Sequence, residues 1–122
     1  MSTHPNVILM VVLTPRGLAR QTMKAILNAE IGKDYDREAA DQVTIGDVGY
    51  YPLVMESDYD EGFQIAAKEG DLVFHDHATY GYGDVITWPE LQRRKDALEE
   101  WAKRISEQHA CDYRIDVSAN YW

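Results

Sequence analysis

Basic residues and cysteines are scarce in this chain. Its 12 Lys and Arg are outnumbered by 21 Asp and Glu, and the isoelectric point is near 4.7. A nucleic-acid backbone requires a basic surface, so nucleic acid is not expected as a direct ligand. Cys111 is the single cysteine, which excludes an intramolecular disulfide, a Cys-x-x-Cys motif and a multi-cysteine zinc site. This cysteine usage is typical of a cytoplasmic protein.

Long apolar runs are also missing. The longest, Val7–Leu13, has seven residues, against the roughly 20 that a membrane-spanning helix needs. No basic segment precedes this run, which therefore predicts a buried strand and not a signal peptide or membrane anchor. With 45% hydrophobic and 27% charged residues in 122, the composition predicts a single soluble domain over residues 1–122.

Acidic charge is abundant and unevenly distributed. Of the net charge of −9, residues 34–84 carry −11, because 13 acids there meet only Arg37 and Lys68. Residues 1–33 carry +3 and residues 85–122 carry −1. The bases of the first segment include Arg16, Arg20 and Lys24, which form one line on a helix and are interpreted as a solvated helix face. Concentrated acid costs stability through self-repulsion, so the middle segment is either a solvating face or a surface for a positive partner.

Hydrophobic periodicity predicts an α+β domain with the element order βαββαβαβ. The first six elements match the ferredoxin-like split βαβ arrangement, to which a long helix and a C-terminal strand are added. Thr87-Trp-Pro-Glu90 is a capping box at the start of that helix, with Thr87 as N-cap. Strands are predicted at Val7–Thr14, Val43–Ile45, Tyr50–Met55, Leu72–His77 and Cys111–Ser118, and helices at Arg16–Ile31, Asp58–Glu69 and from Thr87 to about His109.

Two Asp-Tyr-Asp motifs are the main candidates for partner binding. Each places an aromatic ring between two carboxylates, and tyrosine is enriched in interface hot spots because it offers a large area at low entropy cost. Acids around the ring would steer a basic partner towards it. The alternative for the second motif is a helix N-terminus, where acids complement the helix dipole. The candidate residues, with two loop tyrosines, are Asp34, Tyr35, Asp36, Glu38, Asp58, Tyr59, Asp60, Glu61, Tyr80 and Tyr82.

His75-Asp76-His77 is the one cluster that resembles an enzyme or metal site. On a strand, His75 and His77 point to the same face, and two imidazoles at this spacing can share a metal ion. A third ligand is needed, and Asp84, His109 or Asp112 could supply it only if the fold brings them together. The simpler interpretation is two polar residues on the wet face of an edge strand.

The sequence therefore favours a small, cytoplasmic, non-enzymatic interaction protein that presents an acidic, tyrosine-rich face to a basic partner. One concrete form is a viral or mobile-element inhibitor that occupies the nucleic-acid-binding surface of a host defence protein by imitating phosphate charge. No cofactor and no membrane contact are expected. The alternatives are a metal-dependent enzyme or metal-binding domain centred on His75 and His77, and a homo-oligomeric ligand-binding domain that uses its sheet face as the interface.

Overall fold

In a computed structural model, residues 5–32, 42–55, 67–76 and 86–121 are described, with the backbone alone at 5–7 and 118–121. These ranges form an α+β domain with one antiparallel sheet and helices on one of its faces. The elements in chain order are β1 (Pro5–Pro15), α1 (Ala19–Ile31), β2 (Val43–Ile45), β3 (Val48–Val54), β4 (Leu72–His75), α2 (Trp88–Gln108) and β5 (Cys111–Tyr121).

The sheet has the strand order β2-β3-β4-β1-β5, and each neighbouring pair is antiparallel. Strand β1 is therefore internal, and β5 lies at an edge. His75 faces Met10 on one side and Tyr51 on the other, while Leu72 faces Leu13 and Val54. We call these two ends of the sheet the His75 end and the Leu72 end.

Both faces of the central strands are buried. On the helix-covered face, Leu9, Val11 and Leu13 pack in one cluster with α1 and α2. The opposite face, called here the second face, holds a smaller cluster of Ile8, Met10, Val12, Leu53, Met55, Ala67 and Val73. This two-sided burial explains why β1 is apolar at every position from Val7 to Leu13 instead of alternating.

The helices begin and end where local chemistry requires. Thr87 caps α2, since its hydroxyl accepts a hydrogen bond from the Glu90 amide at 3.3 Å. The Glu90 carboxylate binds Arg93 and Arg94, so the reciprocal half of the capping box is replaced by ion pairs. Helix α1 ends at Gly32, whose φ of 84° is the left-handed conformation that glycine adopts without strain. Neither described helix is long and apolar enough to cross a membrane.

The structure confirms an α+β fold but not the predicted element order. The helix expected over Asp58–Glu69 lies outside the described residues up to residue 66, and Lys68–Asp71 forms a turn that leads into β4. The long helix and last strand are integral parts of the fold, because β5 pairs with β1 along 11 residues. Pro52 lies on β3 beyond Tyr50, the last residue of this strand that is paired with β2.

Trp101 anchors α2 to the sheet and provides a test of this packing. Its ring is 8% exposed and meets Phe74 edge-on, with ring centroids 5.0 Å apart. We expect Trp101→Ala to lower the free energy of unfolding by about 3–5 kcal/mol, as for other buried aromatic truncations, and Thr87→Ala by about 1 kcal/mol through loss of the cap. Urea denaturation measures both, with Lys103→Ala on the exposed face of α2 as the control. Equal effects of Trp101→Ala and Lys103→Ala would contradict the assigned buried face.

Candidate functional site

All ten residues predicted to bind a partner lie outside the described ranges, in the segments 33–41, 56–66 and 77–85. The residues that flank these segments are described. Gln42 precedes β2 at the His75 end, Asp76 ends β4 there, and α2 begins near that end because Arg93 binds Asp47 in the β2–β3 turn. Met55 and Ala67 flank segment 56–66 at the Leu72 end, where Met55 bonds to Gly70 and Asp71.

The His75 end contains a cluster of polar side chains, in which His75 is buried, Tyr51 is half-buried and Gln42 is exposed. His75 is 6% exposed and lies on the second face between Met10 and Tyr51. The His75 and Tyr51 rings have centroids 6.0 Å apart. The Tyr51 hydroxyl accepts a hydrogen bond from Gln42 Nε2 at 3.0 Å. The Gln42 amide lies over Gly49, where a Cβ would collide with it, so the absence of a side chain at residue 49 makes this contact sterically feasible.

Asp76 closes the β1–β4 ladder with its side chain. Its backbone amide donates to the Leu9 carbonyl at 3.2 Å, and its carboxylate accepts from the Leu9 amide at 3.1 Å. In a continued antiparallel ladder, the backbone carbonyl of Asp76 would accept the hydrogen bond from the Leu9 amide. The side-chain carboxylate of Asp76 takes the place of that carbonyl. Asp76 is 8% exposed, and a buried carboxylate is tolerated where it accepts such hydrogen bonds. This role fixes the point at which the chain leaves the sheet.

Tyr50 lies on the helix-covered face and is 1% exposed. Burial raises the pKa of its phenol well above the ordinary value, and the nearby Asp76 charge raises it further, while Arg94 and Arg93 act in the opposite direction. The phenol therefore stays protonated at neutral pH. In this form the Tyr50 hydroxyl is a hydrogen-bond donor.

Ion pairs link the start of α2 to the β2–β3 turn. Arg93 contacts Asp47 at 2.9 Å and Glu90 at 2.7 Å, and Arg94 contacts Glu90 at 3.1 Å. Hydrogen bonds from Arg93 and then Arg94 lower the pKa of Glu90 to about 2. Glu90 is therefore ionised at neutral pH, with both guanidinium groups beside it. These charges compensate one another locally and hold α2 against the hairpin.

The described residues do not assemble a metal site around His75. His77 and Asp84 lie outside the described ranges. His109 and Asp112 lie near the opposite end of the sheet, because Asp112 pairs with Thr14 whereas His75 pairs with Met10. Among the described side chains, no group of three His, Cys, Asp or Glu residues could hold a metal ion. The alternative centred on His75 and His77 is untested and requires a ligand from the remaining segments.

Cys111 is not placed for nucleophilic chemistry. Burial raises the pKa of its thiol, Arg16 opposes this effect, and Asp112 adds to it. The side chain is fully buried in the cluster beneath the helices. The backbone amide of Cys111 donates a hydrogen bond to the backbone carbonyl of His109 at 2.8 Å. Since the thiolate is the reactive form, a buried protonated thiol acts as a small core residue.

No protein-family model, curated protein or solved structure matches this chain. The function must therefore be argued from the residues themselves. Of the candidate residues named from the sequence, His75 and the possible third metal ligands His109 and Asp112 have described positions. Sequence reasoning missed the contributions of Gln42, Tyr50, Tyr51 and Asp76. The sequence signal for Asp76 was the position of an aspartate directly after an apolar strand. The contacts of Gln42, Tyr50 and Tyr51 had no such signal, because they depend on which strands become neighbours.

The role of Asp76 can be tested by comparing two substitutions. Asp76→Ala removes the acceptor of the Leu9 amide, and we expect a loss of about 1–3 kcal/mol in the free energy of unfolding. Asp76→Asn keeps an acceptor oxygen and should cost less. Native-state hydrogen exchange at Leu9 should accelerate in the alanine variant relative to the asparagine variant. Equal exchange in the two variants would contradict the ladder-closing role.

The metal alternative has a direct test. If His75 and His77 share a metal ion, protein purified without chelator should contain near-stoichiometric transition metal, and the double change to Ala should abolish it. We expect no bound metal and an unfolding transition that is insensitive to chelator. Elemental analysis and a thermal melt with and without EDTA distinguish the two cases.

Proposed function

We propose that this protein is a small acidic interaction protein, whose framework of strands and helices supports connecting segments that bind a basic partner. The observation that carries the proposal is the division of charge. The described ranges hold 12 acids and 10 bases, a net charge of −2. The segments 33–41, 56–66 and 77–85 hold nine acids against Lys33 and Arg37, which leaves −7 of the total of −9. The acidic excess is therefore concentrated outside the framework.

Acids of the framework are largely used internally. Asp47 and Glu90 bind Arg93, Glu30 binds Arg104 at 2.8 Å, and Asp112 lies 3.7 Å from Arg16. Charges paired in this way contribute little to the field around the protein. The acids of the connecting segments have only two bases within those segments to offset them. Such unbalanced charge is what steers an oppositely charged partner and raises its association rate.

Chain connectivity limits where these acids can be presented. Segment 33–41 ends before Gln42 and segment 77–85 begins after Asp76, and both of these residues lie at the His75 end. The segments 33–41 and 77–85 are therefore both attached to the His75 end. Each has nine residues, so no residue in them is farther than about 17 Å from a flanking anchor. This attachment supports a shared surface formed by the first Asp-Tyr-Asp motif and the tyrosines Tyr80 and Tyr82.

The partner class that this chemistry favours is a nucleic-acid-binding surface. Lys and Arg clusters that bind phosphate also bind closely spaced carboxylates, through the same charge-assisted hydrogen bonds. A protein with this excess of acid cannot use the nucleic acid itself as its ligand. We therefore include in the proposal an inhibitor that competes with nucleic acid, as viral or mobile-element proteins can do against a host defence protein.

The proposal extends to the framework, which we interpret as a ferredoxin-like split βαβ core. Strand β4 lies between β1 and β3 and is antiparallel to both. Strand β1 lies between β4 and β5 and is antiparallel to both. With α1 and α2 as the connections, β1, β3, β4 and β5 follow the split βαβ order. Strand β2 is then an addition at the edge. This assignment differs from the sequence prediction, which used a different set of six elements.

Neutralising the two motifs tests the acidic surface. The change of Asp34, Asp36, Asp58 and Asp60 to Asn should alter the free energy of unfolding by no more than about 1–2 kcal/mol, because relief of self-repulsion offsets lost dipole interactions. A partner captured from the natural host should associate more slowly with this variant. Its association rate should also depend less on salt, since the Debye length falls from about 10 Å at 0.1 M to about 3 Å at 1 M. A short DNA duplex should displace the partner if a nucleic-acid-binding surface is occupied.

A variant with the same net charge provides the control. Asp96, Glu99, Glu100 and Glu107 lie exposed on α2, and their change to Asn or Gln also removes four negative charges. Binding should respond more weakly to this control than to the motif variant. Changing Tyr35 and Tyr59 to Ala should act mainly on the dissociation rate, as the loss of desolvated anchors does. Equal binding of the motif variant and the native protein at low salt would refute the proposal.

A further inference from the structure

The pairing of β1 with its neighbours determines which residues of β5 direct their backbone amide and carbonyl groups away from the sheet. Leu9 directs its amide and carbonyl towards Asp76, so the alternate residues Met10 and Val12 direct theirs towards β5. Their partners Asp116 and Arg114 therefore face β1. The backbone groups of Tyr113, Ile115 and Val117 consequently point away from the sheet. Within the described ranges, no strand pairs with this edge.

The side chains along this edge divide between the two sheet faces. Tyr113, Ile115 and Val117 extend the helix-covered face, and Val117 is 58% exposed there. Arg114 and Asp116 lie on the second face and form an ion pair, with side-chain exposures of 41% and 39%. A long edge strand with an exposed apolar residue favours pairing with another strand.

We propose that a second copy of this chain pairs with this edge, β5 against β5, around a two-fold axis at Ile115. In this register Ile115 faces Ile115 of the other copy, and Tyr113 faces Val117, so that the exposed Val117 is covered by an aromatic ring. These facing pairs exchange about six backbone hydrogen bonds. Arg114 of each copy lies opposite Asp116 of the other, in the closely spaced positions where side chains interact most strongly.

The charges select this register over its neighbours. An axis at Arg114 would place two guanidinium groups opposite each other, and an axis at Asp116 would do the same with two carboxylates. A two-fold axis at Tyr113 would require the backbone groups of Cys111 to bond to the other copy. The Cys111 amide, however, already donates to the His109 carbonyl, and the Cys111 carbonyl already accepts from the Ser106 hydroxyl. The axis at Ile115 avoids both problems. The contact is confined to a few residues of one edge strand, so the dimer should be weak and concentration-dependent.

Two charge reversals test the register in the full chain. Arg114→Asp gives a chain with two carboxylates at these positions, and Asp116→Arg gives a chain with two guanidinium groups. Each variant alone should be monomeric, because like charges face each other across the axis. An equimolar mixture should form a heterodimer, although the ion pair within each chain stays broken. Sedimentation velocity over a concentration series up to about 1 mM follows the association of native protein, variants and mixture.

Ile115→Pro provides a second variant that does not depend on charge. The amide it removes points away from β1, and proline is tolerated on an edge strand in that orientation. We expect a cooperative thermal transition, as for the native protein, together with loss of the dimer. A native protein that stays monomeric over the whole concentration series would overturn the proposal. So would a mixture of the two charge variants that associates no better than either alone, or a dimer that survives Ile115→Pro.

Discussion

Strand β1 hydrogen-bonds to β4 along one edge and to β5 along the other, and it buries side chains on both faces. This double pairing joins parts of the chain that are far apart in sequence, because β5 follows β1 by about a hundred residues and yet lies directly beside it. The helices pack on one face of the sheet, and the Asp76 carboxylate ends the β1–β4 ladder at the His75 end. A polar substitution in the middle of β1 would place a polar group in one of the two apolar clusters, in the strand on which both ladders depend.

Charge is arranged around this framework in two different ways. Near α2, opposite charges neutralise one another at short range, as in the contacts of Arg93 with Asp47 and Glu90. In the connecting segments, acids accumulate with only two bases to balance them. Self-repulsion in those segments opposes compaction, whereas the apolar clusters around β1 supply the stability. If the acidic segments bind a partner as proposed, binding and folding would depend on separate sets of residues.

Local signals in the sequence were sufficient for most elements. The apolar run of β1, the alternation in Cys111–Val117 and the Thr87 cap each depend on residues close in the chain, and each predicted element is present. Strand neighbours could not be predicted in this way, because pairing brings together residues such as Tyr51 and His75 through register alone. For the same reason the cluster of polar side chains at the His75 end was missed. The position of His75 was predicted as polar and exposed, whereas cross-strand contacts with Met10 and Tyr51 bury it.

The proposed acidic surface and the proposed β5 edge contact affect each other through the net charge of the protein. Copies that each carry −9 repel one another, so pairing along β5 must depend on the local match of Arg114 with Asp116 and on apolar contact at Ile115 and Val117. A basic partner on the acidic segments would neutralise part of that charge and reduce the repulsion between copies. Partner binding and edge pairing would then favour each other, and by linkage the coupling would be equal in both directions. This coupling requires no change of shape, since it follows from the charge of the connecting segments and the rigid position of β5 beside β1.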